Sequence, residues 1–515
     1  MKNNMFRVIS LMLAAMMLVL SLVSCGAETA DTADTSATTT SEDAADSNGG
    51  EQGTPDSTEA DTGHKDELVI NEKTYYGADY NVLVSGNANY NLYYGSDFYY
   101  EDSSADNISY ARAKWIAGIE KKFDIKIVET RKVQFNDATG SGQGFQTVQN
   151  SVLSESGDFD SCMIGTFDAA NLARNLYLSD LNSLEYINLE NSWWDQHANR
   201  DLTINGKMYY TTGDISTIDN VFTTCILFNK DMVLENKLTS PYEYVKNNTW
   251  TMDTYITMIK QAAKTSGEGI SDTDKVYGLL TWNDALLHIL SAADERVANV
   301  TDDGKIEFSL YNERSQQAFA LYHDISKNNA YSINYQADLE GDWDMNRNRL
   351  FAENKALFYN TLFEAISFHR DGSTDFGVIP YPKLNEDQQT YGHLVSAWHS
   401  EVFCIPAIVM DIDYSSSVSE YMAYLGQQET KPAYYDDTLI GKYIRDEESI
   451  EMLDTIFATR VFDIGVYYKL GNIVSDIEKI AQKRSTSSFR QVYNANASIA
   501  QSQLESLMDD FARAD

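Results

Sequence analysis

Basic residues are scarce in this chain. Of its 515 residues, 77 are Asp or Glu and only 39 are Lys or Arg, a formal net charge of −38. That balance excludes binding to nucleic acid or to anionic lipid head groups through overall charge, because both would repel the chain. Neutral or cationic ligands suit it better. Cysteine is as sparse, occurring only at Cys25, Cys162, Cys225 and Cys404. The last three sit in apolar, strand-like runs (SCMIG, TTCILF, VFCIP) and read as small buried hydrophobes. The seven histidines are scattered, and none forms HExxH or another zinc-ligand spacing. No GxSxG elbow occurs. Gly140-Ser141-Gly142-Gln143-Gly144 precedes a helical stretch, yet it fits neither the dinucleotide nor the P-loop spacing and reads as a flexible turn. Asp411-Ile412-Asp413 lacks the glycine and glutamate of a calcium loop. These absences point away from a metal, a cofactor or a catalytic residue. Acid pairs of the glycosidase kind abound among 77 carboxylates, so counting alone does not decide against a glycan hydrolase. Past residue 25 no apolar run is long enough to cross a bilayer.

The first 25 residues read MKNNMFRVISLMLAAMMLVLSLVSC. Lys2 and Arg7 make a basic start, residues 8–23 are apolar, and small residues follow, which is the layout of a secretory signal over 1–24. The apolar run of about 16 residues falls short of the roughly 20 that a membrane span needs, and no basic flank follows it. The ending Leu22-Val23-Ser24-Cys25 resembles the lipobox of bacterial lipoproteins. That resemblance implies that Cys25 carries lipid and becomes the first mature residue. Loss of Lys2 and Arg7 makes the remainder two charges more negative. Residues 25–66 are then a lipidated cysteine and a tether. The segment is rich in Ala, Thr, Ser, Asp, Glu and Gly, has no aromatic residue, and sets eleven acids against Lys65. Such a composition cannot bury enough apolar surface to offset the entropy of ordering. About 40 residues fully stretched would reach on the order of 130 Å.

From residue 67 the chain becomes globular and Tyr-rich, and its length suggests about two to four domains. Residues 80–85 alternate like a strand. Ile108, Ala111, Trp115, Ile119 and Phe123 fall at helical spacing. Strands follow at 124–130 and 159–164, with a helix at 145–154 between them. This β-α-β-α-β rhythm argues for a mostly parallel sheet with helices on its faces. The spacing predicts a helix over 172–181 and, around Asn205-Gly206, a hairpin over 202–210. It predicts strands at 221–228, 355–360, 376–379 and 402–409, and a hairpin turn at Asp302-Asp303-Gly304. Helices are expected over 252–264, 284–293, 313–326, 414–428, 449–458, 474–482 and 491–513. No repeat of 20–50 residues is visible.

Read as a series, several landmarks resemble the extracellular solute-binding proteins of family 1, the maltose-binding-protein-like capture subunits of ABC importers. They are IEKKFDIKI, GDFDSCMIG, SWWDQ, INGKMYYTTGD, TTCILFNKDMV, NNTWTMD, LFAENKALFYN, DFGVIPYPK and SEVFCIPA. The resemblance runs from about residue 66 to the end. It implies an α/β, two-lobe periplasmic-binding-protein-like fold, each lobe a mostly parallel sheet flanked by helices, joined by crossover hinge strands. Lobe one would be 67–228 plus 357–405, and lobe two 229–356 plus 406–515. Strands at 221–229, 355–360 and 402–409 would cross between lobes, which would place Cys225 and Cys404 on neighbouring strands. Free thiols are expected there, with a Cys225–Cys404 disulfide as the alternative. The ligand would sit in the cleft past the carboxyl ends of the strands and be trapped by closure.

A sugar needs flat rings for stacking and carboxylates or amides for its hydroxyls. By family layout the ligand-binding candidates are Trp398, in a polar stretch before a crossover strand; Asn360 and Phe363, after ALFYN; Trp282 and Asp284, ahead of a helix in lobe two; and Asp168 and Asp214 in lobe one. Each has a plain alternative: a core ring for Phe363, a helix N-cap for Asp168, a turn for Asp214. Trp193 and Trp194 read as structural. The loop 93–102 holds both rings and acids but is too generic to assign. The function expected is a monomeric, lipid-anchored, non-enzymatic subunit on the outer face of the bacterial cell membrane. It would deliver a carbohydrate, an oligosaccharide, to the transmembrane subunits of an ABC permease, touching the membrane through its anchor only and binding no nucleic acid. The alternatives are a surface glycan hydrolase or glycan-docking lipoprotein without a permease, or an ABC binding protein for peptides or polyamines.

Overall fold

The computed structural model describes residues 64–86, 97–100, 107–135, 140–265, 272, 274–443, 446–483 and 486–513. The expected signal, Cys25 and nearly all of the tether lie outside the described residues, as does most of the loop 93–102. The last residues assigned to the expected tether belong to the globular body. Asp66 accepts from the backbone N–H (2.8 Å) and hydroxyl (2.5 Å) of Ser192, and His64 Nε2 lies 3.1 Å from Asn191 Oδ1, so the chain is already bonded to the globular body by residue 64.

Thirteen strands form among the described residues: β1 (Ala78–Gly86), β2 (Ile125–Phe135), β3 (Ser161–Gly165), β4 (Thr224–Asn229), β5 (Tyr277–Thr281), β6 (Ala298–Val300), β7 (Ile306–Phe308), β8 (Ser332–Asn334), β9 (Ala356–Leu362), β10 (Phe376–Ile379), β11 (His393–Leu394), β12 (Glu401–Cys404) and β13 (Arg460–Val461). Four make one sheet in the order β12-β3-β1-β2, and five make another in the order β10-β4-β9-β5-β8. In the first sheet β1, β2 and β3 are parallel and β12 runs against β3. In the second, β5 is parallel to β8 and β9, while β4 runs against both β9 and β10. β3, β4, β5, β9 and β10 are buried at every position, as strands covered on both faces must be.

The sheets divide the strands differently from the expected lobe segments. β9 and β10 both lie in the five-stranded sheet, so of residues 357–405 only β12 joins the first sheet. Nor does everything after 405 go with the second. Helix Ile412–Gln428 packs on helix Asn107–Phe123 of the first sheet: the Trp115 indole donates to the Met422 carbonyl (2.9 Å), and Phe123 meets Tyr421 edge-on (5.5 Å). Helix Glu447–Phe457 returns to the second sheet, where Ser449 Oγ accepts from the Val378 N–H (3.1 Å). The chain therefore passes between sheets in the stretches 212–223, 395–400 and 429–446, and the crossings are loops and short turns rather than the strands themselves. The cysteines follow. Cys225 faces Thr361 in the five-stranded sheet, Cys404 faces Cys162 in the four-stranded one, and all three thiols are free and buried.

Other boundaries moved for local reasons. The helix expected over 172–181 is Thr166–Arg174, entered directly from β3 with no side-chain cap, followed by a separate turn Leu181–Ser183. The hairpin over 202–210 reduces to its turn: Asn205 and Gly206 hold left-handed φ of 51° and 74°, and Ile204 bridges Lys207. The last helix, Phe489–Ala512, is 24 residues, about 36 Å long. Its start stacks on the second half (Phe489 on Phe319 at 4.5 Å, Tyr493 on Tyr311 at 4.5 Å), and its end lies on the first (Phe511 against Tyr209 at 4.8 Å, Asp510 near Arg174 at 3.9 Å).

Candidate functional site

The carboxyl ends of the two sheets meet. β3 ends at Gly165, directly opposite Glu401 at the start of β12, so the loop 395–400 lies over that end of the first sheet. β5 ends at Thr281 and leads through Trp282 into helix Ala285–Ala292; β9 ends at Leu362 and leads through Phe363 into helix Glu364–His369. Three bonds pin these ends together. Thr166 Oγ1 donates to the Ala397 carbonyl (2.5 Å), Ser396 N–H to the Phe222 carbonyl (3.0 Å), and Phe363 N–H to the Thr223 carbonyl (3.1 Å). Loops past the carboxyl ends of parallel strands are where open α/β sheets bind ligands.

Within this junction the rings of Trp282 and His399 lie 5.9 Å apart, His399 lies 5.5 Å from Phe222, and Trp282 lies 5.3 Å from His288. Burial holds the His288 and His399 imidazoles down to about 3, so both are neutral at physiological pH. Ser396 Oγ and His399 Nδ1 are 2.8 Å apart. Trp282 is only 6% exposed, yet its indole N–H has no hydrogen-bond partner in the structure, which leaves a donor for a ligand or water. Trp398 is partly buried, edge-on to Phe167 (5.3 Å), whose ring in turn carries the Lys469 ammonium at 5.4 Å. Trp282 and Trp398 thus reach this junction from different elements.

The other expected residues are committed elsewhere. Phe363 is 1% exposed and stacks on Phe457 (5.0 Å, 13° between planes), so that face is already covered. Asn360 is fully buried: its carbonyl accepts from Tyr255 (2.6 Å) and its amide donates to Tyr322 (2.8 Å). Asp168 caps a helix, but not its own. Its carboxylate accepts from the N–H groups of Gly142 (2.8 Å) and Phe145 (3.0 Å) at the start of helix Gln143–Leu153, which has no side-chain cap of its own. Asp214 pairs with Lys431 at 3.1 Å, and burial pushes its carboxyl up to about 6. Asp284 faces Glu478; burial drives both carboxyls upward, Glu478 further because Asp284 stands beside it, so the pair holds a proton. Trp193 and Trp194 are buried, and both indoles donate to Glu420 (3.0 and 2.8 Å), as structural residues do. Of the loop 93–102 only 97–100 is described; there Asp97 accepts from Ser216 (2.7 Å) and Thr217 N–H (3.0 Å) and binds Arg112 (3.1 Å), fixing the chain where it begins to cross.

One ring escaped the sequence reading. Trp343 opens helix Trp343–Ala352, capped by Asp342, and is 52% exposed. One turn on, Arg347 binds Glu364 (2.6 Å) just past the end of β9, and its guanidinium lies 5.6 Å from the exposed Phe368 ring. Of seven tryptophans five are buried, so only Trp398 and Trp343 offer ring surface without repacking. The available signal was its setting: a lone ring in the polar run Gly341-Asp342-Trp343-Asp344, with no apolar stripe to bury it.

Among the described residues no group of three or more His, Cys, Asp or Glu is placed to hold a metal ion, and no helix is long and apolar enough to cross a membrane. No family model and no curated protein matches the sequence. Solved structures do match in fold. An ABC substrate-binding protein of Listeria monocytogenes in complex with cycloalternan aligns at 14% identity over 83% of this chain and 99% of its own, with a TM-score of 0.54. A cyclo/maltodextrin-binding protein complexed with maltotetraose aligns at 13% identity over 83% and 98%, with a TM-score of 0.55. The sugar-binding protein MalE of Xanthomonas citri aligns at 12% identity over 85% and 100%, also at 0.55. The chain has the two-lobe α/β fold of the maltose-binding-protein-like ABC solute-binding proteins.

Proposed function

We propose that this chain is the lipid-anchored extracellular substrate-binding subunit of an ABC importer, and that it captures an oligosaccharide between its two lobes. The observation that carries the reading is the meeting of the carboxyl ends of both sheets around Trp282, His399 and Trp398, with Trp343 exposed near the end of β9. An exposed ring and a partly buried one, a free indole N–H and the amides of Asn283 and Gln336, which are bonded to neighbours at 3.0–3.1 Å, match the mixed chemistry of a sugar's C–H faces and hydroxyls. The ligands named for the structures of similar fold support the same class. Those relatives are binding proteins, which favours capture over catalysis. Cys25 would carry the lipid, and residues 26–63 would give the body reach while keeping it beside its permease, raising their effective concentration. Lobe one would comprise the four-stranded sheet with helices Asn107–Phe123 and Ile412–Gln428, and lobe two the five-stranded sheet with its helices.

Intrinsic fluorescence titration against a panel of mono- and oligosaccharides tests the ligand class, since the partly exposed Trp398 and Trp343 respond to stacking. The expected result is a saturable change with at least one oligosaccharide. Silence toward every sugar, with a response to peptides or spermidine, overturns the sugar assignment; release of product from a bound glycan overturns the non-enzymatic one.

A further inference from the structure

The register of β3 and β12 sets Cys404 directly opposite Cys162. On its other edge Phe403 exchanges both backbone hydrogen bonds with Thr211 (N–H to carbonyl 2.7 Å, and 3.0 Å in return). Because N–H and C=O groups alternate sides along a strand, those of Cys404 turn the other way, toward β3. Cys404 and Cys162 are therefore a hydrogen-bonded antiparallel pair, for which Cα atoms stand about 5.5 Å apart. That separation lies within the range of about 4.4–6.8 Å that disulfides span, near its most common value. Both side chains leave the sheet on the same face, and both are 0% exposed. Cys225 has no such partner, since it faces Thr361 in the other sheet.

We propose that Cys162 and Cys404 are a disulfide-forming pair that closes when the chain folds in an oxidising medium. The co-reactant is a disulfide, of a protein oxidase or of glutathione. One cysteine thiolate attacks the donor's S–S bond and expels one donor thiol. The second thiolate attacks the resulting mixed disulfide and expels the other. Two cysteine S–H bonds are exchanged for one S–S bond, and the donor's S–S bond becomes two S–H groups, so protons and electrons balance. Because neither thiol reaches solvent in the finished fold, exchange takes place before β12 docks on β3. The product fastens β12, and with it the preceding loop that carries Trp398 and His399, to the middle of the first sheet. The bond also closes a very long loop of chain, the case in which cross-linking restricts the unfolded state most.

The test is refolding of the full chain from urea, once in a mixture of oxidised and reduced glutathione and once in excess reductant, followed by acid quench, alkylation, digestion and mass spectrometry. The expected result in glutathione is a peptide containing Cys162 linked to one containing Cys404, with Cys225 alkylated. Reductant should abolish the link and lower Tm by about 5–10 °C. In C225A the glutathione-dependent shift in Tm should persist, and in C162A it should vanish. The peptide map reads the wild-type chain itself, so a variant that folds poorly does not blunt the test. Alkylation of Cys162, Cys225 and Cys404 alike in glutathione, or a link that includes Cys225, overturns the proposal.

Discussion

Two helices, each lying on one of the sheets, show how differently the halves are held. Helix Ile412–Gln428, on the first sheet, buries Ser415, Ser416, Ser417, Ser419 and Glu420 alongside Tyr414, Val418, Met422, Ala423 and Gly426. Helix Met252–Ala262, on the second, buries Met252, Tyr255, Met258, Ile259 and Ala262. The first interface adds a buried hydrogen-bond network to its apolar contacts. Glu420 receives both indoles and the Asn191 amide (3.0 Å), and Tyr80 reaches Ser419 (2.9 Å) and the Ser415 carbonyl (3.2 Å). The second is made of rings: Trp250 lies 5.7 Å from Tyr255 and 5.8 Å from Phe358, which are themselves 4.9 Å apart. Apolar packing degrades with lost volume, whereas a buried polar network fails through the partners left behind. The second interface should therefore respond to cavities, and the first also to unpaired donors.

The largest expected effect is in the second half. Trp250→Ala removes a fully buried ring and should cost about 4 kcal/mol in urea unfolding. Glu420→Ala in the first half strands several buried donors and should cost about 3 kcal/mol, while Glu420→Gln, which keeps a carbonyl acceptor, should cost clearly less. A Gln variant as damaging as the Ala variant would break the contrast, since shape alone would then explain both.

Protons act on the two halves through different groups. Burial pushes Glu420 and Asp219 up to about 7 and Asp214 to about 6. A raised folded-state value means stability that is full below the unfolded value and lost as pH rises through the folded one. Protection of helix Ile412–Gln428 against hydrogen exchange should thus fall between about pH 4.5 and 7 as pH rises. The buried His288, His393 and His399, held down to about 3, act the other way. Their contribution is full above about 6.5 and lost as pH falls toward 3, so helix Ala285–Ala292 should lose protection in acid through His288, and again as pH rises toward about 7–9 through the raised Asp284 and Glu478 at its start. A helix Ala285–Ala292 whose protection is unchanged in acid in the wild-type chain would refute the histidine contribution.

Smaller effects sharpen it. Asp168→Ala removes the borrowed cap of helix Gln143–Leu153 and should cost about 1 kcal/mol. Trp343→Ala, at a half-exposed position, should change stability by less than about 0.5 kcal/mol. If the sugar reading holds, the same variant should weaken oligosaccharide binding by about tenfold, an affinity loss on the order of 1.4 kcal/mol measured by titration calorimetry.

Much of the fold was legible because its periodicities are clean. The helix expected at 108–123 is Asn107–Phe123, that at 313–326 is Glu313–Ser326, and the strand at 376–379 is Phe376–Ile379. Helix Trp343–Ala352 was missed because it buries only Arg347, Leu350 and Phe351 and carries no apolar stripe. Its Arg347 is buried against Glu364, an ion pair that no local pattern announces. For the candidate site, the neighbourhood of Trp282 and Trp398 could be read from where rings fall relative to strand ends. Phe363 and Asn360 could not be resolved that way. β9 is buried on both faces, so alternation along it does not say which side chains face the junction and which the core.

The terminal helix Phe489–Ala512 has a mechanical meaning. It is a stiff rod glued at one end to the second half through Phe489 and Tyr493, and at the other to the first through Phe511 and Asp510. A rod fixed at both ends forbids the halves from simply drawing apart along its length, because that would peel aromatic rings off one attachment. It leaves torsion about its long axis as the soft coordinate. Motion between the halves should then be a wringing movement around this strut, with an amplitude limited by how far the Tyr493 and Phe511 contacts can slide before they let go.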